Sequence, residues 1–242
     1  YSADTGSVAE LPRQPQQSKF VDSAAALYEA GPGDKVVFAV DPTRGQILSL
    51  LMDTPTFKEQ VDQGGTVGYV IVALGIVSLL LALSRLLALS VMSAKVSSQL
   101  KNAEPNTNNP LGRVLKVAKD NEDTDRETLE LKLSEAIFKE RPALESGLAF
   151  LKIISVVAPL MGLLGTVTGM IITFQAITIF GAGDPKTMAS GISSALITTV
   201  LGLIVAIPTL LAHTIVSGRA KRVIHVLEEQ AAGIIARNAE SK

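Results

Sequence analysis

Hydroxyl-bearing and small side chains recur at helical spacing in two long apolar stretches of this chain. In the first stretch, Gly162, Thr166, Gly169 and Thr173 follow at steps of four, three and four residues, which places them on one face of a helix. The second stretch carries two adjacent stripes, Gly191, Ala195, Thr199, Gly202 and Ala206 beside Ser190, Ser194 and Thr198. Small residues allow close helix contact, and hydroxyl groups can order water or bond to a titrating group. The spacing therefore predicts close packing or a water-lined pathway.

These residues fall into two groups by the role that the pattern predicts for them. The candidates for lining a proton pathway are the hydroxyl residues Thr166, Thr199, Ser194 and Thr198. The candidates for helix packing or a pore face are Gly162, Gly165, Gly169, Thr173, Ser190, Gly191, Ala195, Gly202 and Ala206. For any single small residue, packing is the simpler explanation.

Most other chemistries have no residues to support them. The chain has no Cys, so disulfides, thiolate metal sites and cysteine nucleophiles are excluded, and its two His cannot alone build a histidine metal site. A net charge of −1 gives no basic footprint for nucleic acid. Residues 153–183 contain no charged side chain, and residues 187–218 contain His213 as their one ionisable group. We expect no enzyme, metal or cofactor, and a proton carrier would have to come from another subunit.

Three uncharged runs are long enough to cross a membrane, since a bilayer core needs about 20 residues of helix. They lie at 63–84, 153–183 and 187–218, and the first continues past Arg85, which we interpret as an anchor at the helix end. The sequence predicts an all-α integral membrane protein with transmembrane helices at 64–92, 153–182 and 188–217. A buried soluble core would need more amphipathic partner surface than this chain offers.

Basic residues set the predicted orientation. The segment from Arg85 to Lys152, both included, has eleven Lys and Arg, and five follow Gly218, so the positive-inside rule places both regions in the cytoplasm. We expect the bacterial inner membrane, a periplasmic N-terminal segment at 1–63, a cytoplasmic helical region at 93–152, a periplasmic turn at 183–187 and a cytoplasmic tail at 218–242. Because the chain starts at Tyr1 without a signal peptide, we expect a processed or trimmed protein.

Local signals outside the predicted spans indicate short elements. On the outer side they predict a helix over 19–30, a strand over 36–40, a helix start at Asp41-Pro42 and a capping box formed by Thr56 and Glu59 with a helix end at Gly64. On the inner side they predict a turn-rich break over 102–110 and a helix over 123–140. Pro142 is expected to break or kink that helix, which resumes at Leu144.

The distribution of small residues also predicts an assembly. The first span is aliphatic almost all round, so we expect it to face lipid, whereas the small and hydroxyl residues concentrate in the other two spans. One stripe on each of these can pack its hairpin mate, but the rest would need neighbouring subunits or a lined cavity. The sequence therefore predicts a ring-shaped homo-oligomer with the second and third spans inside.

Two segments, APLMGLLGTVTGM at 158–170 and GISSALITTVLGLIVAIP at 191–208, resemble the MotA/TolQ/ExbB proton-channel family and are most similar to its ExbB type. The outer motifs VDPTRG at 40–45, QGG at 63–65 and GY at 68–69 resemble the TtpC branch, which is associated with TonB systems. The resemblance covers about 40–242. TtpC-type chains carry a longer outer region, so we expect this sequence to be truncated.

The resemblance implies a function and partners. It implies a homopentamer around a dimer of an ExbD- or TolR-type single-span protein, whose membrane Asp carries the proton, and a TonB-like protein that receives the energy for outer-membrane transport. Thr166 and Thr199 match the family's pore-facing threonines. Ser194 stands where many ExbB members have glutamate, which either weakens channel activity or marks a specialised branch.

Other functions remain open. A TolQ-type role in envelope integrity fits the same motifs, and a structural membrane scaffold without proton conduction fits the small-residue packing. A flagellar stator subunit is disfavoured because it has four spans and a larger cytoplasmic domain. A self-contained transporter is disfavoured because the spans lack a charged or discontinuous substrate site.

Overall fold

The computed structural model describes residues 17–37, 43, 47, 56–102, 104–181 and 185–240. These residues form helices and turns and include no strand, so the predicted all-α class is confirmed for the described part of the chain. The chain divides into two compact units, residues 1–60 and 61–242. The helices are α1 (Ser18–Glu29), α2 (Phe57–Gln63), α3 (Gly65–Gln99), α4 (Pro110–Lys119), α5 (Arg126–Glu145), α6 (Leu148–Phe180) and α7 (Pro185–Glu240).

Two of the predicted outer elements are confirmed. Helix α1 agrees with the helix expected at 19–30 within one residue at each end. The capping box is formed, because the backbone N–H of Thr56 donates to Glu59 Oε2 at 2.7 Å and the N–H of Glu59 donates to Thr56 Oγ1 at 3.3 Å. Helix α2 then ends before Gly64, as expected.

The other outer predictions have a different outcome. Val36 and Val37 are not in a strand, and the rest of that predicted strand lies outside the described residues, as does the predicted helix start at Asp41-Pro42. Residues 183 and 184 of the predicted turn are also outside them, and α7 begins at Pro185.

Among the described residues, three helices are long and apolar enough to cross a membrane. Helices α3 and α6 have 35 and 33 residues, and α7 has 56, which at 1.5 Å per residue is about 84 Å. Because a bilayer core is about 30 Å thick, α7 extends far beyond any single span. The described helix continues well past residue 217, where the predicted third span ends.

The first span, α3, packs against α7 through a few small and hydroxyl residues within its mainly aliphatic sequence. Ser78 and Thr209 are 2 % and 4 % exposed, and their hydroxyl oxygens lie 2.9 Å apart in a hydrogen bond between α3 and α7. One turn earlier, a Cβ on Gly75 would lie 2.7 Å from Val205 Cγ2. The expectation that small and hydroxyl residues are nearly absent from the first span is therefore wrong for the face that packs inward.

The inner half of the chain forms a helical bundle. Leu111, Leu144 and Leu227 are fully buried where α4, α5 and the distal part of α7 meet the end of α3. Asn109 caps α4 by accepting a hydrogen bond from the N–H of Gly112 at 2.7 Å. The turn-rich break predicted over 102–110 is confirmed for its described residues.

Of the predicted break or kink at Pro142, the break with a new helix beginning at Leu144 is wrong. Pro142 lies inside α5, which continues to Glu145, so Leu144 belongs to α5 and does not begin a new helix. The buried side chain of Leu144 holds this last turn in place although Pro142 lacks an N–H to donate. The break comes at Gly147, whose φ of +79° is accessible to glycine without strain, and α6 begins directly after it.

Candidate functional site

Helices α6 and α7 pack with almost no space between their backbones. A Cβ on Gly162 would lie 2.9 Å from the backbone oxygen of Thr198, and one on Gly202 would lie 2.7 Å from the backbone oxygen of Ala158. Since real Cβ contacts are longer, these positions admit only glycine without backbone movement. At the remaining glycines of this contact a Cβ would collide first with side-chain atoms of the facing helix: Gly165, Gly169 and Gly191.

Two of the candidate hydroxyl residues lie inside this contact. Thr198 is 2 % exposed, and its Oγ1 donates to the backbone oxygen of Ala195 at 2.7 Å and lies 3.2 Å from that of Gly162. Thr173 is likewise buried, and its Oγ1 donates to the backbone oxygen of Gly169 at 2.9 Å. In the single chain the hydroxyl of Thr198 is enclosed between α6 and α7, and its predicted pore-lining role stays a prediction.

Thr166 and Thr199 lie at the edge of the contact and are half-buried. Thr199 Oγ1 is 3.5 Å from the backbone oxygen of Gly162, one helical turn before Thr166. Thr166 Oγ1 donates to the backbone oxygen of Leu163 in its own helix at 2.6 Å. Each hydroxyl therefore retains acceptor capacity at the surface of the helix pair.

This edge faces away from the first span. Met161 of α6 and Leu201 of α7 pack with Ile71 of α3. At about 100° per residue, Met161 is turned by about 140° from Thr166, and Leu201 by about 160° from Thr199. The two threonines therefore occupy the side of the α6–α7 pair that α3 leaves uncovered.

Ser194 is on the other side of the pair. Its Oγ donates to the backbone oxygen of Gln63 at 2.6 Å, which connects α7 to the bend between α2 and α3. Five residues separate Ser194 from Thr199, a turn of about 140° around α7. In the single chain the hydroxyl of Ser194 is bonded beside α3 and away from the edge at Thr199, and its place on the proton pathway stays a prediction.

A groove opens beside Ser194. It encloses about 480 Å³ between α6, α7 and the end of α2. Its walls are Gln63, Gly169, Ile172, Thr173, Ala176, Ser190, Gly191 and Ser194. Ser190 is exposed here, so this predicted packing residue lies on the groove and not in the closest part of the α6–α7 contact.

The residues of α7 that were predicted to line a pathway or to pack therefore occupy different positions along the helix. Ala195 and Ala206 are buried, as expected for packing residues. The first span also contributes to the helix contacts, and the signal for this in the sequence is the pair Gly75 and Ser78, three residues apart in an aliphatic run. Among the described residues, no group of three or more His, Asp or Glu could hold a metal ion.

Comparison with known proteins places these features in a wider context. The family model described as the MotA/TolQ/ExbB proton channel family matches residues 106–229, which include α4, α5, α6 and most of α7. The chain is 31 % identical to a biopolymer transport protein ExbB homolog of Methanothermobacter thermautotrophicus over 189 residues, 72 % of this chain and 67 % of that protein.

Two further relatives carry different names. The chain is 35 % identical to the biopolymer transport protein ExbB-like 1 of Synechocystis over 179 residues, 66 % of this chain and 70 % of that protein. It is 37 % identical to the Tol-Pal system protein TolQ of Pseudomonas aeruginosa over 89 residues, 37 % of this chain and 38 % of that protein.

Proposed function

This chain belongs to the MotA/TolQ/ExbB proton channel family, and we propose that it is an ExbB-like subunit of an inner-membrane motor driven by the proton motive force. Its partner is a single-span protein of the ExbD or TolR type that supplies a membrane Asp. The motor delivers energy through a TonB-like protein to outer-membrane transport. The names of the ExbB relatives, which describe biopolymer transport, support a transport output, and the TtpC branch stays a prediction from the outer motifs.

The uncovered edge at Thr166 and Thr199 is the observation that carries the proposal. Both hydroxyls keep acceptor capacity there, whereas the spans α3, α6 and α7 contain no Asp or Glu between Gly65 and Gly218 in the sequence. Threonine hydroxyls do not titrate in the physiological range, so they can order water and orient a carboxylate but cannot carry the charge. The acid must therefore come from a partner seated against this edge.

Apolar surface on the inner helices supports a ring of subunits. Leu163 and Val167 of α6 and Leu196 and Val200 of α7 are each about half exposed or more in the single chain. Lipid could cover such surfaces, but they flank Thr166 and Thr199, and a pathway requires those hydroxyls to be shielded from lipid. In the proposed homopentamer, neighbouring copies cover these side chains, and α3 remains at the lipid-facing periphery.

The proposed topology places the N-terminus in the periplasm and the C-terminus in the cytoplasm. In this orientation a proton moves from the outer end of α6 and α7 toward the helical bundle at the inner end. Each elementary charge that crosses 100 mV releases about 2.3 kcal/mol, which is enough to bias a conformational equilibrium.

Proton flux through reconstituted vesicles tests the role of the two threonines. We expect Thr166→Val and Thr199→Val, assayed with the single-span partner, to lower flux by about tenfold, the effect of losing about 1.4 kcal/mol of barrier stabilisation. Valine keeps the shape of threonine and removes the hydroxyl.

Thr168→Val is the matched control. Thr168 is exposed on α6, two residues from Thr166, and its Oγ1 also bonds to backbone oxygens of its own helix. It points away from the uncovered edge, so flux should be unchanged. Equal flux in all three variants would disprove the assigned role, and an absence of flux in the parent chain with its partner would favour a structural scaffold.

The similarity to TolQ supports a second candidate, a motor subunit of an envelope-integrity system. The two outputs share the pathway and differ in the protein that receives the energy. Purification of the intact complex in mild detergent distinguishes them, since a TonB-like protein in the complex supports the first and Tol-system proteins support the second.

A further inference from the structure

His213 is an ionisable side chain that the proposed pathway does not yet use. It is half-buried on α7, four residues after the buried Thr209 and six before Arg219, near the inner end of the apolar run. The residues from Thr187 to Gly218 include no other ionisable side chain. A histidine in a membrane helix is costly and commonly has a role in ion or proton movement.

Two hydrogen bonds between α3 and α7 lie on either side of His213 along the helix axes and show its height in the bundle. Ser78 bonds to Thr209 on the outer side, and Ser90 accepts a hydrogen bond from the Arg219 guanidinium on the inner side. His213 on α7 and Arg85 on α3 both lie between these contacts. The side chain of Arg85 in turn reaches Gly147 at the start of α6, where its Nε would lie 3.3 Å from an added Cβ.

His213 also lies on nearly the same face of α7 as Thr199. Fourteen residues separate them, which corresponds to about 40° around the helix and about 21 Å along its axis. Thr199 is at the edge of the α6–α7 contact, and His213 is partly exposed below it. A proton that has passed Thr199 on its way inward therefore approaches the level of His213 on a neighbouring side of the same helix.

The charged groups around this level are mostly cations. Helix α3 contributes Arg85, α6 contributes Lys152 and α7 contributes Arg219, while Glu145 at the end of α5 lies 3.8 Å from Arg141. None of the three apolar helices places a carboxylate at this level in the sequence. A proton on His213 therefore lacks an acidic side chain on these helices that would hold it.

We propose that His213 is the relay at the inner end of the proton pathway, which rests on the proposed channel function. One ring nitrogen accepts a proton that arrives past Thr199, and the other nitrogen releases a proton to water on the cytoplasmic side, so the imidazole returns to its neutral form after a tautomer exchange. Imidazole suits this task because it gains and loses a proton near neutral pH.

Proton flux of the intact complex in vesicles tests the relay. We expect His213→Gln to lower flux by at least about tenfold, a typical effect of removing a proton-transfer group. The flux of the parent should vary with the pH of the cytoplasmic-side compartment, because the proposed relay carries the proton on an ionisable side chain. The variant should lose this dependence.

His225→Gln is the matched control, because His225 is the other histidine of the chain and is exposed on α7 beyond the apolar run. Its flux and pH profile should equal those of the parent. A second variant, His213→Ala, is assayed with free imidazole in the cytoplasmic-side compartment, which should restore flux if a proton carrier is what was lost.

The outcomes separate the relay from a structural role and from the channel itself. Parent-like flux in His213→Gln overturns the relay, and so does a loss that imidazole fails to restore in His213→Ala while the complex still purifies intact. Absence of flux in the parent overturns the channel function and the relay with it. Loss of flux in Thr199→Val with parent-like flux in His213→Gln supports the channel and removes His213 from it.

Discussion

Single residues decide how closely the second and third spans approach. Gly162, Gly165 and Gly202 are placed where any side chain would enter the facing helix, and Thr198 uses its hydroxyl to satisfy backbone oxygens within that contact. The spacing in the sequence identified the stripes but not which hydroxyl each contact encloses. Thr198 and Thr199 are adjacent, and only the packing of α6 shows that the first is enclosed and the second is at an edge.

The close contact predicts a sharp difference between two glycines of α7. Gly202→Ala should destabilise the chain by about 1–3 kcal/mol, because its Cβ would lie 2.7 Å from a backbone oxygen that cannot rotate away. Gly218→Ala should be neutral or stabilising by up to about 1 kcal/mol, since nothing lies within 4 Å and alanine favours helix. Thermal unfolding in detergent measures both, and equal stability of the two variants would contradict the packing described for α6 and α7.

At the scale of elements, the inner bundle is held by a specific ion pair as well as by apolar cores. Arg113 of α4 donates to both carboxylate oxygens of Glu140 on α5 at 2.6 Å and to the backbone oxygen of Thr107 at 2.8 Å. The hydrogen bond from Arg113 to Glu140 raises the pKa of the Arg113 guanidinium, so this pair keeps its cation at every physiological pH. One side chain thereby joins two helices and the loop before α4.

Loss of this pair should matter more than loss of an exposed one. We expect Arg113→Ala to lower the free energy of unfolding by about 1 kcal/mol, the upper end for an exposed ion pair, because it also frees the loop. Lys139→Ala removes a pair with Glu135 on the surface of one helix and should cost no more than about 0.5 kcal/mol. Denaturant titration that follows the unfolding of the inner helical bundle measures the loss of unfolding free energy in both variants. A larger loss in Lys139→Ala than in Arg113→Ala would refute the structural role assigned to Arg113.

The sequence predicted where helices form better than it predicted which residues of different helices contact one another. Uncharged length predicted three apolar helices, and the Thr56–Glu59 signal predicted a formed cap, because both depend on local residues alone. The break predicted at Pro142 was wrong because the burial of Leu144 stabilises the last turn of α5 more than the proline destabilises it. Ser194 and Ser78 could not be assigned, because their roles depend on contacts with residues 131 positions away.

At the scale of the whole molecule, the single chain leaves apolar surface uncovered on all three membrane helices. On α3 it includes Leu79 and Leu80, and Leu80 lies on the side opposite the stripe that packs against α7. On α6 and α7 it flanks the threonine edge. Lipid suits the first surface, and copies of the chain suit the second in the proposed ring.

The two surfaces should respond differently to a bulky residue. We expect Leu196→Trp on α7 to reduce the oligomeric fraction severalfold, since overpacking a helix contact costs about 1–3 kcal/mol. Leu80→Trp on α3 should leave the oligomer intact, because a larger apolar group on a lipid-facing surface displaces only lipid. Native mass spectrometry of the detergent-solubilised protein measures the fractions, and dissociation by Leu80→Trp alone would reverse the proposed arrangement.

Helix α7 runs without a described interruption from Pro185 to Glu240, and its distal residues Ala220, Leu227 and Ala231 belong to the cores of the inner bundle. The helix that carries Thr199 is thus also a structural member of the inner bundle. Pro208 lies inside α7 between Thr199 and those cores, and its missing N–H removes one backbone hydrogen bond of the helix. A rotation of the membrane end of α7 is therefore transmitted to the cores of the inner bundle through a segment with one local weak point.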